Sequence, residues 1–311
     1  MISIFGVSGF LGSHIYNKLK LQGIDAHGIC RPNSDLWRIG ILTDDIFRLS
    51  DAEIENYIIK TRPSTVIAAS WEGLRGTARI DFNLQLGNVS RVYQLAELCI
   101  KHQVGTFIAF GSQNEYIQQK ATIPETFGSP GSDEYGKAKV LLGKKLESLF
   151  LASNTRFCWA RPFSIYGPMD SMETLLAGMI RSALKDTVYR IASSCTPWSY
   201  LYVDDFVNAL EIIVKNAEID GVINVGNPSS VYVKEIATQA SGILSAMFPT
   251  WPGLKFEDEI VSNGRIPQIE KLHQFNWTPS TPLQIGLEKT VNWFSIQIPK
   301  IMEGDAKHDA E

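Results

Sequence analysis

The sequence is short of paired cysteines, of long apolar runs and of clustered basic charge. Cys30, Cys99, Cys158 and Cys195 lie far apart and form no Cys-x-x-Cys pair. That spacing argues against a disulfide framework and supplies no zinc-ligand set, so no metal is expected. No uncharged apolar stretch is long enough to span a bilayer, so a membrane is not expected as a partner. Lys and Arg number 29 against 33 Asp and Glu, a net charge of −4 with no basic stripe, which leaves nucleic-acid binding without support. There is no internal repeat. The chain opens directly on strand formers, which leaves no room for a signal peptide. These absences lead to the expectation of a soluble, cytoplasmic α/β protein in a reducing compartment. What is present is 311 residues, 44% of them hydrophobic, enough for a large core. That length suits about two domains, or one large α/β unit with an appended lobe.

The chain is organised around its first twelve residues. Met1 to Phe5 is a short apolar run, Gly6 to Gly12 follows at once, and Ser13 to Leu19 repeats apolar residues at helical spacing. The pattern reads strand, glycine turn, helix. Gly6 permits a tight turn, Gly9 lets a diphosphate approach the backbone, and Gly12 lets helix and strand pack closely. The free N–H groups and positive end of the helix would then face the phosphates. The spacing is Gly-x-x-Gly-x-x-Gly rather than the commoner Gly-x-Gly-x-x-Gly, and an ordinary strand-to-helix turn is the competing reading.

Further strands are expected at Asp25 to Cys30, Asp45 to Leu49, Ser64 to Ala69, Thr106 to Phe110 and Thr155 to Ala160. Helices are expected from Asp51, as cap, to about Lys60, from about Leu84 to His102, and from Asp133 to Ala152. A polar loop covers 117–132. Alternation of this kind predicts a doubly wound parallel sheet, an α/β fold of the Rossmann type. After Arg161-Pro162 the texture changes to short strands and helices. Val203-Asp204-Asp205 precedes a helix over Phe206 to Lys215, which an Asp can cap, and Gly221 to Gly226 reads as a strand that rejoins the main sheet. The division expected is a dinucleotide-binding domain over 1–162, rejoined by 203–226, a smaller substrate-binding lobe from 163–202 and 227–303, and a frayed polar tail over 304–311.

Ser112 stands at the end of the fifth strand, where open α/β sheets bind ligands. Tyr135 and Lys139 lie four apart at the start of a helix and share one face. A lysine ammonium near a phenol favours phenolate, so such a tyrosine can exchange protons near neutral pH. Ser112 could donate a second hydrogen bond to the same substrate oxygen. The Tyr-x-x-x-Lys spacing occurs three times, at Tyr16/Lys20, Tyr116/Lys120 and Tyr135/Lys139, and is weak alone. Only Tyr135 opens a long helix shortly after a strand-end serine. The competing reading of Tyr135/Lys139 is a solvated pair on a surface helix.

These pieces resemble the extended short-chain dehydrogenase/reductases, in the nucleotide-sugar epimerase/dehydratase branch. The resemblance rests on Gly6-x-x-Gly9-x-x-Gly12, Phe110-Gly111-Ser112-Gln113-Asn114-Glu115-Tyr116 and Tyr135-Gly136-Lys137-Ala138-Lys139. It continues through Arg161-Pro162-Phe163-Ser164-Ile165-Tyr166-Gly167-Pro168, Tyr202-Val203-Asp204-Asp205, Asn224-Val225-Gly226 and Phe275-Asn276-Trp277-Thr278-Pro279, in family order across nearly the whole chain. It implies a nicotinamide cofactor against Gly6, Ser8, Gly9, Phe10, Leu11, Arg31, Ala68, Ala69, Tyr135, Lys139 and Pro162. It also implies a nucleoside-diphosphate sugar in the C-terminal lobe, Tyr135 as acid/base, Ser112 as its partner and Lys139 on the nicotinamide ribose. A homodimer through 84–102 and 133–152 is a further implication.

The departures from the family decide the finer reading. NAD-specific members carry an acidic residue at the end of the second strand, where this chain has Cys30 and then Arg31. An arginine suits the 2′-phosphate of NADP, so NADP is favoured, with NAD as the alternative and a solvated Arg31 as the competing reading. The 4,6-dehydratases place an Asp-Glu pair after the hydroxyl residue. Here those places hold Gln113 and Asn114, amides that cannot trade protons at neutral pH. They are expected to bind sugar hydroxyls, with Glu115 pointing elsewhere. Ser164 replaces a substrate-binding asparagine, Trp198 stands where many members have an arginine, and Arg265 matches a diphosphate-binding arginine. Trp198 as a core residue is the plainer reading. Trp71, Arg75 and Arg79 follow the fourth strand, where substrate often enters in the family, with surface residues as the equal alternative. The expected activity is NADP-dependent reduction of the 4-keto group of a nucleotide-linked 4-keto-6-deoxy sugar. The alternatives are a nucleotide-sugar 4-epimerase with retained NAD and, in a different class, a non-catalytic dinucleotide sensor.

Overall fold

The computed structural model describes residues 1–40, 44–117, 122–192, 195–257 and 263–308, with side chains described through 299. Its first half alternates β1 (Ile2–Phe5), α1 (Phe10–Leu21), β2 (Ala26–Cys30), β3 (Ile46–Arg48), α2 (Ile54–Thr61), β4 (Thr65–Ala68), α3 (Phe82–Lys101), β5 (Thr106–Phe110), α4 (Glu134–Leu151) and β6 (Arg156–Pro162). There follow β7 (Ile165–Tyr166), α5 (Leu175–Leu184), β8 (Tyr189–Ile191), β9 (Pro197–Trp198), β10 (Leu201–Tyr202), α6 (Val203–Lys215), β11 (Gly221–Val225), β12 (Val231–Tyr232), α7 (Val233–Met247), β13 (Leu254–Phe256), α8 (Glu270–His273) and α9 (Leu283–His308).

Seven strands form one parallel sheet in the order β11-β6-β5-β4-β1-β2-β3. The chain leaves β1 toward β2 and β3, then crosses to β4 on the other side of β1. That reversal opens a crevice at the carboxyl ends of β1 and β4, where doubly wound sheets take their ligands. The strands are apolar on both faces, as a sheet covered by helices on both sides requires. Ile4, Ile67, Ile108 and Cys158 join the core under α1 and α6, while Phe5, Val66, Phe107 and Trp159 join the core under α2, α3 and α4. Each large side chain so buried contributes about 1.5–3 kcal/mol. A third core binds α5, α7 and α9 into the lobe that covers the crevice.

Several local expectations are corrected. Ser50, not Asp51, caps the turn before α2, because its N–H and hydroxyl both donate to Glu53 Oε2, at 2.8 and 2.6 Å. Helix α6 starts at Val203, with Asp204 and Asp205 inside its first turn and no side chain capping it. Asp205 instead accepts the Ser280 and Thr281 N–H groups, tying α6 to the segment before α9. The expected polar loop contains Ile123, which is fully buried and hydrogen-bonds the backbone of Ile266 and Gln268; its residues 118–121, including Lys120, lie outside the described residues. Nor does the chain fray at 304, since α9 runs on to His308; 309–311 lie outside the described residues. Its buried stripe of Leu287, Val291, Phe294 and Ile298 has helical spacing, and an established helix propagates readily.

Candidate active site

One cavity of about 1500 Å³ lies between the carboxyl end of the sheet and the lobe. Its floor begins at the glycine turn. Gly6 has φ +92°, open to glycine at no steric cost, and a methyl at Gly12 would meet Gly6 O at 2.2 Å. The helix therefore lies directly on the turn. Gly9 occupies the N-cap of α1 with no side chain bonding into the helix, so the leading N–H groups are open to an anion. Arg38 braces this turn, donating to Ser8 O at 3.3 Å and to Met169 O at 2.8 Å on the lobe. A bare-backbone turn at a helix N-terminus fits a dinucleotide diphosphate.

At the far end, β5 delivers Ser112 and α4 delivers Tyr135. Asp133 caps α4 by accepting the Gly136 N–H at 2.7 Å, which starts the helix at Glu134 and fixes Tyr135 in its first turn. A methyl at Gly136 would stand 2.1 Å from Asn114 O, so only glycine lets the helix approach the loop that carries Ser112. Ser112 is 5% exposed and Tyr135 7%. Ser112 Oγ accepts the Asn114 N–H at 3.1 Å, which leaves the hydroxyl hydrogen free to be donated. Burial pushes the Tyr135 phenol up to about 12, against a hydrogen bond from the Ser112 side chain and the Arg79 cation, which both pull it down. Arg79 lies 4.6 Å above the Tyr135 ring and pairs through Nε with Asp133 at 2.6 Å.

Lys139 sits one turn further on and does not reach the cavity wall. Its Nζ donates to Phe110 O at 2.6 Å and lies 3.5 Å from the centre of the Trp71 ring. Burial among these groups pulls the amine down to about 7, opposed by the charge of Glu115. The sequence led us to expect Lys139 to draw the phenol down; here the cation over Tyr135 is Arg79, and Lys139 is 5.8 Å from that ring. The reason is the enclosure of the amine by Trp71 and the strand end.

Gly6, Ser8, Gly9, Phe10, Leu11, Arg31, Ala69, Ser112, Gln113, Asn114, Tyr135, Pro162, Ser164 and Arg265 all line the cavity. Ala68 does not; it is 3% exposed and packs inside the sheet. Gln113 Oε1 accepts the Ser164 hydroxyl at 3.1 Å, so these two wall residues are locked together. Arg265 donates through Nε to Tyr116 O at 2.7 Å and bridges the backbone of Trp198. Trp198 is a wall residue, 38% exposed, not a core residue. Trp71, Arg75 and Arg79 also face the cavity. Arg75 reaches Asp170 of the lobe at 3.7 Å, and burial pushes that carboxyl up to about 6.

Sequence reading missed the partners of Arg31. Arg31 pairs with Glu72, and Glu72 also takes Arg91 at 3.1 Å. Asn88 places Glu72 by exchanging hydrogen bonds with its backbone, at 2.9 and 3.1 Å. The three charges come from the turn after β2, the loop after β4 and α3, so no local spacing could have announced them.

The sequence profile of the NAD dependent epimerase/dehydratase family matches residues 2–226. The chain belongs to that family. A GDP-L-fucose synthase from Sinorhizobium fredii is 23% identical over 94% of this chain and 95% of its own length. A trifunctional UDP-glucose 4,6-dehydratase/UDP-4-keto-6-deoxy-D-glucose 3,5-epimerase/UDP-4-keto-L-rhamnose-reductase from Arabidopsis thaliana is 24% identical over 94% of this chain; the chain spans 47% of that enzyme. Among solved structures, the UDP-glucose 4-epimerase of Thermotoga maritima with UDP-glucose shares the fold, with a TM-score of 0.80, 22% identity and coverage of 96% and 99% of the two chains. Its family relatives are thus nucleotide-sugar enzymes, and no helix among the described residues is long and apolar enough to cross a membrane.

Proposed function

We propose that the protein is an NADP-dependent reductase of a nucleoside-diphosphate 4-keto-6-deoxy sugar. The observation that carries this reading is the pair Gln113 and Asn114 beside Ser112 and Tyr135. Both amides line the cavity, Gln113 held by Ser164 and Asn114 by Ser112, and neither can trade protons with a sugar carbon. One of the relatives includes a 4-keto reductase activity in its name. Arg31 and Arg91 offer two cations at the edge of the cavity, which suits a 2′-phosphate.

A nicotinamide bound along the glycine turn would supply the hydride. The chain's own groups then handle the proton. Tyr135 Oη donates it to the oxygen of the ketone, and Ser112 Oγ donates a hydrogen bond to the same oxygen, so the developing negative charge is met by two donors. The phenol, held up near 12, is fully protonated at neutral pH and is an acid before it is a base. The proton is replaced from solvent. Gln113, Asn114, Ser164 and Arg265 would bind the sugar and its diphosphate, within a lobe built from 163–202 and 227–303. We further propose a cytoplasmic homodimer: α3 and α4 lie side by side and carry exposed Phe82, Leu86 and Leu141.

The test is loss of NADPH absorbance with 4-keto-6-deoxyglucose linked to dTDP, CDP, UDP or GDP. Turnover with at least one is expected; none with any would overturn the proposal. A second reading, a 4-epimerase that keeps its NAD, is favoured by Glu72, a carboxylate able to bind a ribose 2′-OH. Bound NAD surviving purification, with no net use of NADPH, would establish it instead.

A further inference from the structure

Glu115 is 1% exposed and lies directly behind Ser112. Its Oε1 accepts the Ser112 N–H at 2.8 Å and the Trp159 indole at 3.0 Å; its Oε2 accepts Arg161 Nε at 2.8 Å and the same indole at 3.1 Å. A methyl at Gly111 would meet Oε1 at 2.2 Å. Arg161 continues the network through Nη1 to the Tyr116 phenol, which donates to Asn224 Oδ1 at 3.0 Å on β11. One carboxylate thus joins the end of β5 to β6 and, through them, to β11. Burying a charged pair is costly, and an apolar pair of similar volume often holds a core as well or better. Packing alone therefore gives no reason for the charge.

We propose that Glu115 is a positioning residue for the reduction, fixing the backbone of Ser112 and presenting a negative charge to Lys139. This rests on the reductase reading. Glu115 does not line the cavity, so it acts through other groups and touches no substrate. The charged and titratable groups around it are Arg161 from β6, Tyr116 from the adjoining turn, and Tyr135 and Lys139 from α4, with the Arg79–Asp133 pair beside Tyr135. Lys139 Nζ stands 5.9 Å from the centre of the Trp159 ring whose indole Glu115 holds, and the carboxylate's charge raises the proton affinity of both Tyr135 and Lys139. Removing it lowers both, so the phenol gives up its proton at a lower pH.

The direct test is NMR titration of the Lys139 ε-methylene in the wild-type protein and in Glu115→Gln. The midpoint should fall by about half a unit or more in the variant. With the active ketone, kcat should drop about ten-fold at near-constant KM, and its alkaline limb should move to lower pH. Glu115→Asp keeps the charge and withdraws it from the Ser112 N–H; kcat should fall while the alkaline limb stays. An unchanged Lys139 midpoint in Glu115→Gln, or wild-type kcat in Glu115→Asp, overturns the proposal. Should Glu115→Gln fail to fold, the Asp variant decides alone. A wild-type protein that reduces no ketone removes the reductase reading, while the titration still judges Glu115.

Discussion

At one end of the cavity Lys139 and Tyr135 are almost wholly buried; at the other, Arg31 and Arg91 reach into solvent around Glu72. The same kinds of charge therefore behave differently. Burial moves the amine of Lys139 down to about 7 and the phenol of Tyr135 up to about 12, which keeps the phenol protonated at neutral pH. The exposed cluster is screened by water, and each of its ion pairs contributes little to stability. On the proposed function its use would lie in selection: three charges that can exchange partners when an anion arrives. On the proposed function, the buried end reacts and the exposed end chooses.

Four substitutions sharpen or break this contrast, and a fifth, away from the cavity, gives the smallest effect. Tyr135→Phe removes the acid while keeping the ring, and turnover should fall about a thousand-fold with NADPH affinity unchanged. Loss of affinity instead would place the phenol in binding. Next comes Lys139, whose folded value of about 7 lies below the unfolded 10.5. Below pH 7 both states hold the proton and the fold bears its burial. Between about pH 7 and 10 the unfolded chain binds more protons, so stability rises with pH, by at most about 1.4 kcal/mol per unit. Lys139→Met should raise the melting temperature at pH 7 and flatten that rise; an unaltered slope would mean that the amine is solvated.

Changes at the exposed end should leave folding alone. Arg31→Ala should weaken NADPH binding about ten-fold and spare NADH, and Glu72→Gln should strengthen NADPH binding a few-fold by freeing both arginines. Equal effects on the two cofactors would argue against a 2′-phosphate contact. The smallest effect expected is from Ser50→Ala, which removes the hydroxyl bond to Glu53 while keeping the backbone one and should cost about 1 kcal/mol in a denaturant titration.

The fold was legible because its strands are continuous apolar runs separated by helix-period segments, a pattern with few architectures open to it. Element ends were less so. Ser50 and Asp51 are both good caps, and only the contact with Glu53 separates them. Asp205 looks like a cap in sequence but is spent on Ser280 and Thr281, far along the chain. In the site, Tyr135 and Ser112 could be placed at the cavity because a helix start and a strand end are local signals. Arg79 over Tyr135, Trp71 over Lys139 and Glu72 between Arg31 and Arg91 could not, since each joins elements that only the folded sheet brings together.

The most direct test of the account follows a label. The protein is incubated with NADPH carrying deuterium at the transferable C4 position and a nucleoside-diphosphate 4-keto-6-deoxy sugar, and the product is analysed by mass spectrometry and NMR. The account predicts one deuterium on sugar C4 for each NADPH oxidised, and almost none with Tyr135→Phe. A product with no deuterium at C4, or an epimerised sugar formed without net oxidation of NADPH, would contradict it.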